Sequence, residues 1–241
     1  MLTRFRKLIT EANYGVLALE ISVVIIGILI ALGIDEWRKD IDDAKVAREY
    51  IHQLIADLKT TEGLVAEKAP LNSAGDTAAL TLVTLFQGEE SVEPEEISEL
   101  FRKASDFSNP VPVLGTAEAM VMTGDIRLIR DTVVRSKITR YLSTSRDYYL
   151  LPIYDKEDRH FTFVQDLAEI LAKYRIPLGL LEAEKRAIQT PDVEGFLNDT
   201  KAYVGVQAIL ESRRGFQVYR TRIVGEATAL RQSLEEAAGA E

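Results

Sequence analysis

The most pronounced hydrophobic pattern lies near the start of the chain, where no charged residue occurs between Ile21 and Ile34. As a helix that rises 1.5 Å per residue, this stretch covers about 21 Å, less than the roughly 30 Å hydrocarbon core of a bilayer. A complete span must therefore begin near Tyr14, and it then includes the acidic residue Glu20. The pattern predicts a transmembrane helix over residues 14–35.

The residues that flank the predicted span are typical of a membrane anchor. Tyr14 and Trp37 bracket it, and aromatic rings favour the level of the lipid headgroups. Residues 1–13 form a short basic tail, and such tails tend to stay in the cytoplasm, whereas long domains translocate largely regardless of charge. We therefore expect a cytoplasmic N-terminus and an extracytoplasmic domain of residues 36–241.

A cleaved signal peptide is the alternative interpretation of the same segment. Ala31, Leu32 and Gly33 have the small-x-small form of a cleavage site, and the apolar core has the length of a signal peptide's hydrophobic region. The helical pattern runs through this point, which favours an uncleaved anchor. A mature chain that begins at Ile34 would support cleavage instead.

One side of the predicted span is polar and small. On a helical wheel Glu20, Gly27 and Ala31 fall close to one line, which Asn13 and Asp35 extend. The pair Gly27-x-x-x-Ala31 allows a second backbone to approach closely, and an acid inside a membrane usually faces protein. We predict that Glu20, Gly27 and Ala31 form a helix–helix interface. The alternative is that Glu20 is protonated or extends to the headgroups and that the small residues have no role.

The segment EISVVIIGILIALGIDEW resembles the start of a family of uncharacterised bacterial single-pass membrane proteins, whose pattern is roughly E-I-x-L-V-V-x-G-I-L-I-A-L-x-I-N-N-W-N. The residues that match are Glu20, Gly27, Ala31, Leu32, Ile34 and Trp37. Asp35, Glu36 and Arg38 depart from the asparagines of the pattern. The later segment FLNDTKAY and the long helix after it are similar to the family's C-terminal part. The resemblance implies a location in the bacterial inner membrane and no particular activity.

Downstream of the predicted span the chain favours helices. Apolar residues recur at spacings of three and four from Ile41 onward, which predicts an amphipathic helix that ends before Pro70. The run TAALTLVTLF suits either a buried helix or a strand, and periodicity alone leaves both open. Pro94, which precedes two acidic residues, predicts the start of a further helix.

Boundary residues predict the remaining helices. Thr116 and Gly124 bracket a short helix, and Asp131 is the predicted cap of one that Pro152 interrupts. The segment TPDVE predicts a helix start with Thr190 as its cap. A coiled-coil-like face near the end of the chain has apolar residues every seven positions, namely Ile209, Phe216, Ile223, Leu230 and Ala237.

Together these patterns predict an all-α protein. It has one N-terminal transmembrane helix followed by a helical-bundle domain with long amphipathic helices. The first and last long helices of this domain are expected to pack together.

Composition narrows the chemistry. The chain contains no cysteine, which excludes disulfides and thiolate catalysis. Its formal charge is −9, and an acidic domain without a basic stripe argues against nucleic acid or anionic lipid as the main partner. The expected partners are the lipid bilayer and either a second copy of the chain or another transmembrane helix.

Both histidines occur in Glu-x-x-His pairs, Glu49 with His52 and Glu157 with His160. Two such pairs with two further glutamates bind paired metals in ferritin-like bundles. The apolar face of the first helix leaves Glu49 and His52 facing solvent, and Glu157 lies off the face that holds His160. We therefore expect no metal and no other cofactor, and a di-metal oxidase or hydrolase is the less favoured alternative.

No catalytic residue is predicted. The chain has no glycine-rich phosphate loop, no G-x-S-x-G motif and no H-E-x-x-H motif. Arg213 and Arg214 are interpreted as part of a solvated helix face. One aromatic group is interpreted as core: Tyr148, Tyr149, Tyr154, Phe161 and Phe163.

The sequence thus predicts a membrane-anchored interaction or scaffold protein rather than an enzyme. The alternative is an extracytoplasmic domain that senses a small molecule and works through a partner, because helical bundles can bind ligands between their helices.

Overall fold

The computed structural model of the chain describes residues 14–88, 92–178 and 190–239, including all side chains except those of 14–18 and 148–152. Every regular element in these ranges is helical, as predicted. The helices are α1 (Tyr14–Leu85), α2 (Pro94–Ser105), α3 (Gly115–Thr123), α4 (Thr132–Ser143), α5 (Leu151–Lys173), α6 (Val193–Leu197) and α7 (Thr200–Gly239). A 3₁₀ turn, Asp125–Leu128, precedes α4, and a π-helix, Thr144–Leu150, joins α4 to α5.

Helix α1 continues through Pro70, so the prediction that the first helix ends before this residue is wrong. A proline inside a helix removes one hydrogen bond and costs about 3 kcal/mol. The next turns offset this cost because their inward side is buried in the bundle, at Asn72, Ala78, Ala79 and Leu82. Burial of one helical face also decides the run TAALTLVTLF, which is helical as far as Leu85.

Aspartate side chains cap two helices. Asp131 Oδ1 accepts a hydrogen bond from the backbone N–H of Val133 at 2.7 Å, which confirms the predicted cap of α4. At α6 the cap is Asp192, whose Oδ1 accepts from the N–H of Gly195 at 2.8 Å, and not Thr190 as predicted. The carboxylate both satisfies a free N–H and interacts favourably with the helix dipole.

Gly124 and Pro152 act at helix ends in different ways. Gly124, in the left-handed conformation with φ of 80°, follows the last residue of α3, as predicted, whereas the helix begins at Gly115 and not at Thr116. Pro152 does not interrupt a helix, contrary to the prediction. It is the second residue of α5, which follows the π-helix directly.

The closing helix α7 supplies much of the core. The predicted face with seven-residue spacing is confirmed, since its buried residues include Ile209, Phe216, Ile223, Leu230 and Leu234. Gly205 faces α5, where a Cβ would make ordinary van der Waals contact with Leu167, 3.4 Å from Cδ1. Ala237, the last residue of the predicted face, is half-buried.

The first and last long helices pack together, as predicted. Glu62 on α1 accepts hydrogen bonds from Arg231 Nε at 3.1 Å and from Thr228 Oγ1 at 2.7 Å. Lys59 pairs with Glu235 at 3.1 Å one helical turn away. These contacts between α1 and α7 fix the register of the two helices.

The described chain falls into two compact units, one that ends at Glu49 and one that begins at Tyr50. The second unit contains the core of the bundle. In the first unit nearly all side chains from Leu19 onward are exposed, including the large apolar ones up to Ile41.

Candidate functional site

The residues predicted to form a helix–helix interface lie on one helix and are exposed. Glu20, Gly27 and Ala31 all belong to α1, and a Cβ added at Gly27 would meet no atom within 4 Å. Trp37 is 65% exposed. The side chain of Tyr14 lies outside the described residues. The roles of all five residues stay predictions.

The apolar segment of α1 is exposed on all sides. No helix within the described residues is long and apolar enough to cross a membrane. The exposed large apolar residues of this segment are Leu19, Ile21, Val23, Val24, Ile25, Ile26, Ile28, Leu29, Ile30, Leu32 and Ile34.

The two Glu-x-x-His pairs lie in unlike surroundings. Glu49 and His52 are exposed, as predicted. His160 is fully buried, and Glu157 accepts a hydrogen bond from Asn109 Nδ2 at 3.0 Å. Within the described ranges no three histidine or acidic side chains lie close enough to hold a metal ion.

The chemically most concentrated part of the bundle surrounds Arg213, which is 1% exposed. Its Nε donates to Asp76 Oδ1 at 2.8 Å, and Nη2 donates to the carbonyl of Asn72 at 2.8 Å. Its Nη1 donates to the carbonyls of Ala104 and Asp106, at 2.9 and 2.6 Å. One guanidinium therefore joins α1, the end of α2 and α7. Burial lowers the pKa of Arg213, and the adjacent carboxylate of Asp76 opposes this shift.

Arg213 occupies the place that a side chain at Gly75 would need. A Cβ at Gly75 would lie 2.2 Å from Arg213 Nη2 and 2.6 Å from the carbonyl oxygen of Lys103. Both distances are far below van der Waals contact, so only glycine allows the guanidinium to reach its acceptors. The prediction that Arg213 faces solvent is therefore wrong, whereas Arg214 is exposed as predicted.

A second buried arginine extends the network. Arg220, 7% exposed, donates from Nη1 to Asn109 Oδ1 at 2.9 Å, and its Nη2 lies 3.9 Å from Asp76 Oδ2. Asn109 in turn donates to Glu157. The two cations thus lie near two carboxylates, one in direct contact and one reached through an amide. Buried ions need such pairing because desolvation costs several kcal/mol for each ion. We call Arg213, Arg220, Asp76, Asn109, Glu157 and His160 the buried polar cluster.

His160 closes the cluster on its aromatic side. Its Nδ1 lies 3.0 Å from Ser212 Oγ and its Nε2 lies 3.3 Å from the carbonyl oxygen of Ser105. The rings of Phe107 and Phe216 lie 4.8 and 5.5 Å from the imidazole, centroid to centroid. Burial lowers the pKa of His160 to about 4; the hydrogen bond to the carbonyl of Ser105 opposes this shift, and the charge of Arg213 adds to it. The imidazole is therefore neutral at pH 7, with both nitrogens engaged.

The aromatic group interpreted as core is only partly so. Tyr154 and Phe161 are exposed, by 59% and 53%, whereas Phe163 is half-buried. The side chains of Tyr148 and Tyr149 lie outside the described residues. The apolar face of α5 instead runs through Ile153, His160, Leu167 and Leu171, and Tyr154 and Phe161 follow its members by one position.

A groove of about 490 Å³ opens between α1 and α7, and Asp76 and Arg220 of the buried polar cluster line it. Its walls include Val65 and Val224, and its polar end includes Asp76, Gln217 and Arg220. Asp76 is the cluster's most accessible charge there, with its side chain 31% exposed. This is a place where polar groups from two helices converge on a cavity.

No family model matches the chain, and neither the curated proteins nor the solved structures include a significant match. The resemblance carried by EISVVIIGILIALGIDEW therefore stays a prediction.

Proposed function

We propose that the protein is a single-pass membrane protein that acts by association, as a scaffold or interaction module, rather than by catalysis. The observation that supports this most directly is the exposed apolar surface of α1 from Leu19 to Ile34. Soluble proteins rarely expose contiguous apolar patches larger than a few hundred Å², because water disfavours them. A bilayer removes this cost on every side of the helix at once.

The proposed span joins this surface to residues 14–18, whose side chains lie outside the described part. A helix from Tyr14 to Ile34 would be about 31 Å long at 1.5 Å per residue, which matches a hydrocarbon core of roughly 30 Å. Its location in the proposal is the bacterial inner membrane. The N-terminus lies in the cytoplasm and residues 36–241 lie outside it.

Within the proposed span, Glu20, Gly27 and Ala31 form the surface for another helix. Glycine and alanine let backbones approach closely, and a buried acid gains by facing protein rather than lipid. The partner is a second copy of this chain or another transmembrane helix. A non-enzymatic role is further supported by the buried polar cluster, where the arginines and His160 bond with neighbouring elements and hold the bundle together.

Extraction of membranes with alkaline carbonate tests the anchor. We expect the wild-type chain to stay with the membrane pellet, because an apolar span resists treatments that release peripheral proteins. The double variant Ile25→Arg with Ile28→Arg is expected to lose most of this retention, since each arginine near the bilayer centre costs about 3 kcal/mol. The matched control is Val133→Arg with Val218→Arg, two exposed apolar residues of the bundle. Release of the wild-type chain by carbonate would overturn the proposal.

A sensing role is the second candidate, and the groove between α1 and α7 is the observation that favours it. Its apolar walls and the polar end at Asp76 and Gln217 suit a small molecule with an apolar body and hydrogen-bonding groups. Thermal unfolding with a panel of amino acids and small carboxylic acids tests this role. A stabilising compound that loses its effect on Gly225→Leu, which fills the groove, would support it.

A further inference from the structure

The exposed part of α1 carries a seven-residue repeat that runs beyond the proposed span. Glu20 and Gly27 are the first two members of a row that continues every seven residues through Ile34 and Ile41. A second row lies three residues further along, at Val23, Ile30, Trp37 and Ala44. These are the a and d positions of a coiled coil, where apolar residues meet a partner helix.

Three members of the repeat, at and beyond the end of the proposed span, are large and uncovered, whereas Ala44 is small and half-buried. Ile34 is 50% exposed, Trp37 65% and Ile41 47%. Charged residues lie on the opposite side of the same turns. Asp35, Glu36, Lys39 and Asp42 are exposed, and Asp43 is half-exposed. They occupy the b, c and f positions, which face water in a two-stranded coiled coil. The uncovered apolar side of this amphipathic helix therefore extends from Ile34 to Ile41, with Ala44 half-buried and Ala47 buried.

We propose that residues 34–48 form a parallel two-stranded coiled coil with the same segment of a second copy of this chain. The proposal rests on the proposed membrane anchor. Two chains inserted in the same orientation present these segments side by side, at the same height above the bilayer. The row that begins with Glu20 and Gly27 continues through Ile34 and Ile41, so one partner helix can cover the row both inside and outside the proposed span.

Charge favours a second copy in parallel orientation. Asp40 is at a g position and Lys45 at the following e position. In a parallel pair, g of one chain faces the e that lies five residues later in the other, so Asp40 meets Lys45 of the second copy on both sides. An antiparallel pair brings e positions together and so places the cations Arg38 and Lys45 near one another.

The membrane supplies what this short segment lacks. Residues 34–48 are about two heptads long, and an isolated helix of this length is marginal in water. The next a position, Arg48, is charged, so the apolar rows end there. Two spans already held together raise the effective concentration of the segments, and the second contact then forms without a further loss of translational freedom.

Disulfide crosslinking tests the proposal cleanly because the chain has no cysteine of its own. Ile41→Cys places a thiol at an a position, and Val46→Cys places one at an f position with similar exposure, 47% against 40% for the native residues. In membranes, mild oxidation is expected to give about tenfold more covalent dimer for Ile41→Cys, because only this pair falls within disulfide range. Trp37→Cys, at a d position, and Lys39→Cys, at an f position, form a second matched pair, and Trp37→Cys is expected to give the higher yield of covalent dimer.

Charge reversal provides an independent measurement on the same Ile41→Cys background. Asp40→Lys or Lys45→Asp alone is expected to lower the dimer yield several-fold, and the double reversal is expected to restore it. Two results would overturn the coiled coil. One is an equal yield of covalent dimer from cysteines at positions 41 and 46, and the other is a double reversal whose dimer yield is as low as that of the single variants. Carbonate release of the wild-type chain would overturn the anchor instead, so the two failures are distinguishable.

Discussion

Gly75 and Arg213 show how one residue without a side chain makes a buried charge possible. The guanidinium reaches acceptors on α1, on α2 and on the residue that follows α2 only because α1 has no Cβ at the point of contact. Gly75 also lies in a helix interior, where glycine is less favourable than alanine by about 1 kcal/mol. The hydrogen bonds of Arg213, which require glycine at position 75, offset this loss.

Gly75→Ala is therefore expected to destabilise the bundle although alanine is the better helix former. The new Cβ would lie 2.2 Å from Arg213 Nη2, so the side chain or α1 must shift and hydrogen bonds are lost. We expect a loss of roughly 2–4 kcal/mol in the free energy of unfolding. Urea unfolding followed by circular dichroism measures it.

Gly63→Ala on the same helix is the matched control. A Cβ there meets no atom within 4 Å, so only the helix propensity changes and stability should rise by up to about 1 kcal/mol. If both variants shift stability in the same direction, the close approach at Gly75 is not what governs the site.

His160 gives the bundle a pH dependence of known sign. Its pKa is about 4 in the folded chain, below the ordinary value of 6.5, so between these values the unfolded chain binds a proton that the folded chain does not. The contribution is fully present above pH 6.5 and falls as the pH drops toward 4. Its full size is up to about 3 kcal/mol.

Denaturant unfolding at pH values between about 7 and 5 checks this, since this range lies above the titration of ordinary carboxyl groups. His160→Gln is expected to flatten the decline while it lowers stability at pH 7, because the amide keeps only part of the hydrogen bonding. His52→Gln, at the exposed histidine, is the control and should keep the wild-type slope. If the free energy of unfolding of His160→Gln still declines between pH 7 and pH 5 as it does in the wild type, other groups produce the decline.

At the scale of elements, α7 organises the bundle through two different kinds of contact. Its apolar rows bury Phe216 and Ile223, while Arg213 and Arg220 on the same helix bind α1 and the chain after α2. A buried ion pair adds little net free energy, yet its removal leaves uncompensated groups. The arginines therefore determine which acceptor groups of the neighbouring elements lie against α7, and the apolar residues provide most of its buried surface.

Arg213→Met is expected to lower the free energy of unfolding by about 3–5 kcal/mol, because Asp76 and three carbonyls lose their donor. Arg214→Met is the matched control on the next residue. That side chain is exposed and pairs only with Glu211 in the described structure, so its loss should change stability by less than about 0.5 kcal/mol. Similar values for the two variants in urea unfolding would contradict the structural role of Arg213.

At the scale of the whole molecule, the two units differ in how their apolar residues are covered. In the unit from Tyr50 onward many of them pack into a core, and in the unit up to Glu49 the large ones are exposed. The proposed bilayer and the proposed second copy are what would cover them. Both experiments on the first unit therefore examine a property of the assembly rather than of the single chain.

The all-helical character of the described chain and the charge and size pattern of α1 followed from the sequence alone, because helical periodicity and capping are local. The spacing of Ile209, Phe216, Ile223 and Leu230 was enough to locate the buried face of α7. The role of Asp131 was equally local, since a cap needs only the next three residues.

Tertiary structure alone decided the buried polar cluster and the path of α1 through Pro70. Arg213 lies four residues after Ile209 and three before Phe216, so helical spacing puts it, and not Arg214, on the buried face of α7. Its acceptors on α1 and the space left by Gly75 come from residues far away along the chain. Likewise, the burial of residues after Pro70 outweighs its local penalty. Both outcomes depend on contacts between distant residues, and the local pattern of a chain contains no information on such contacts.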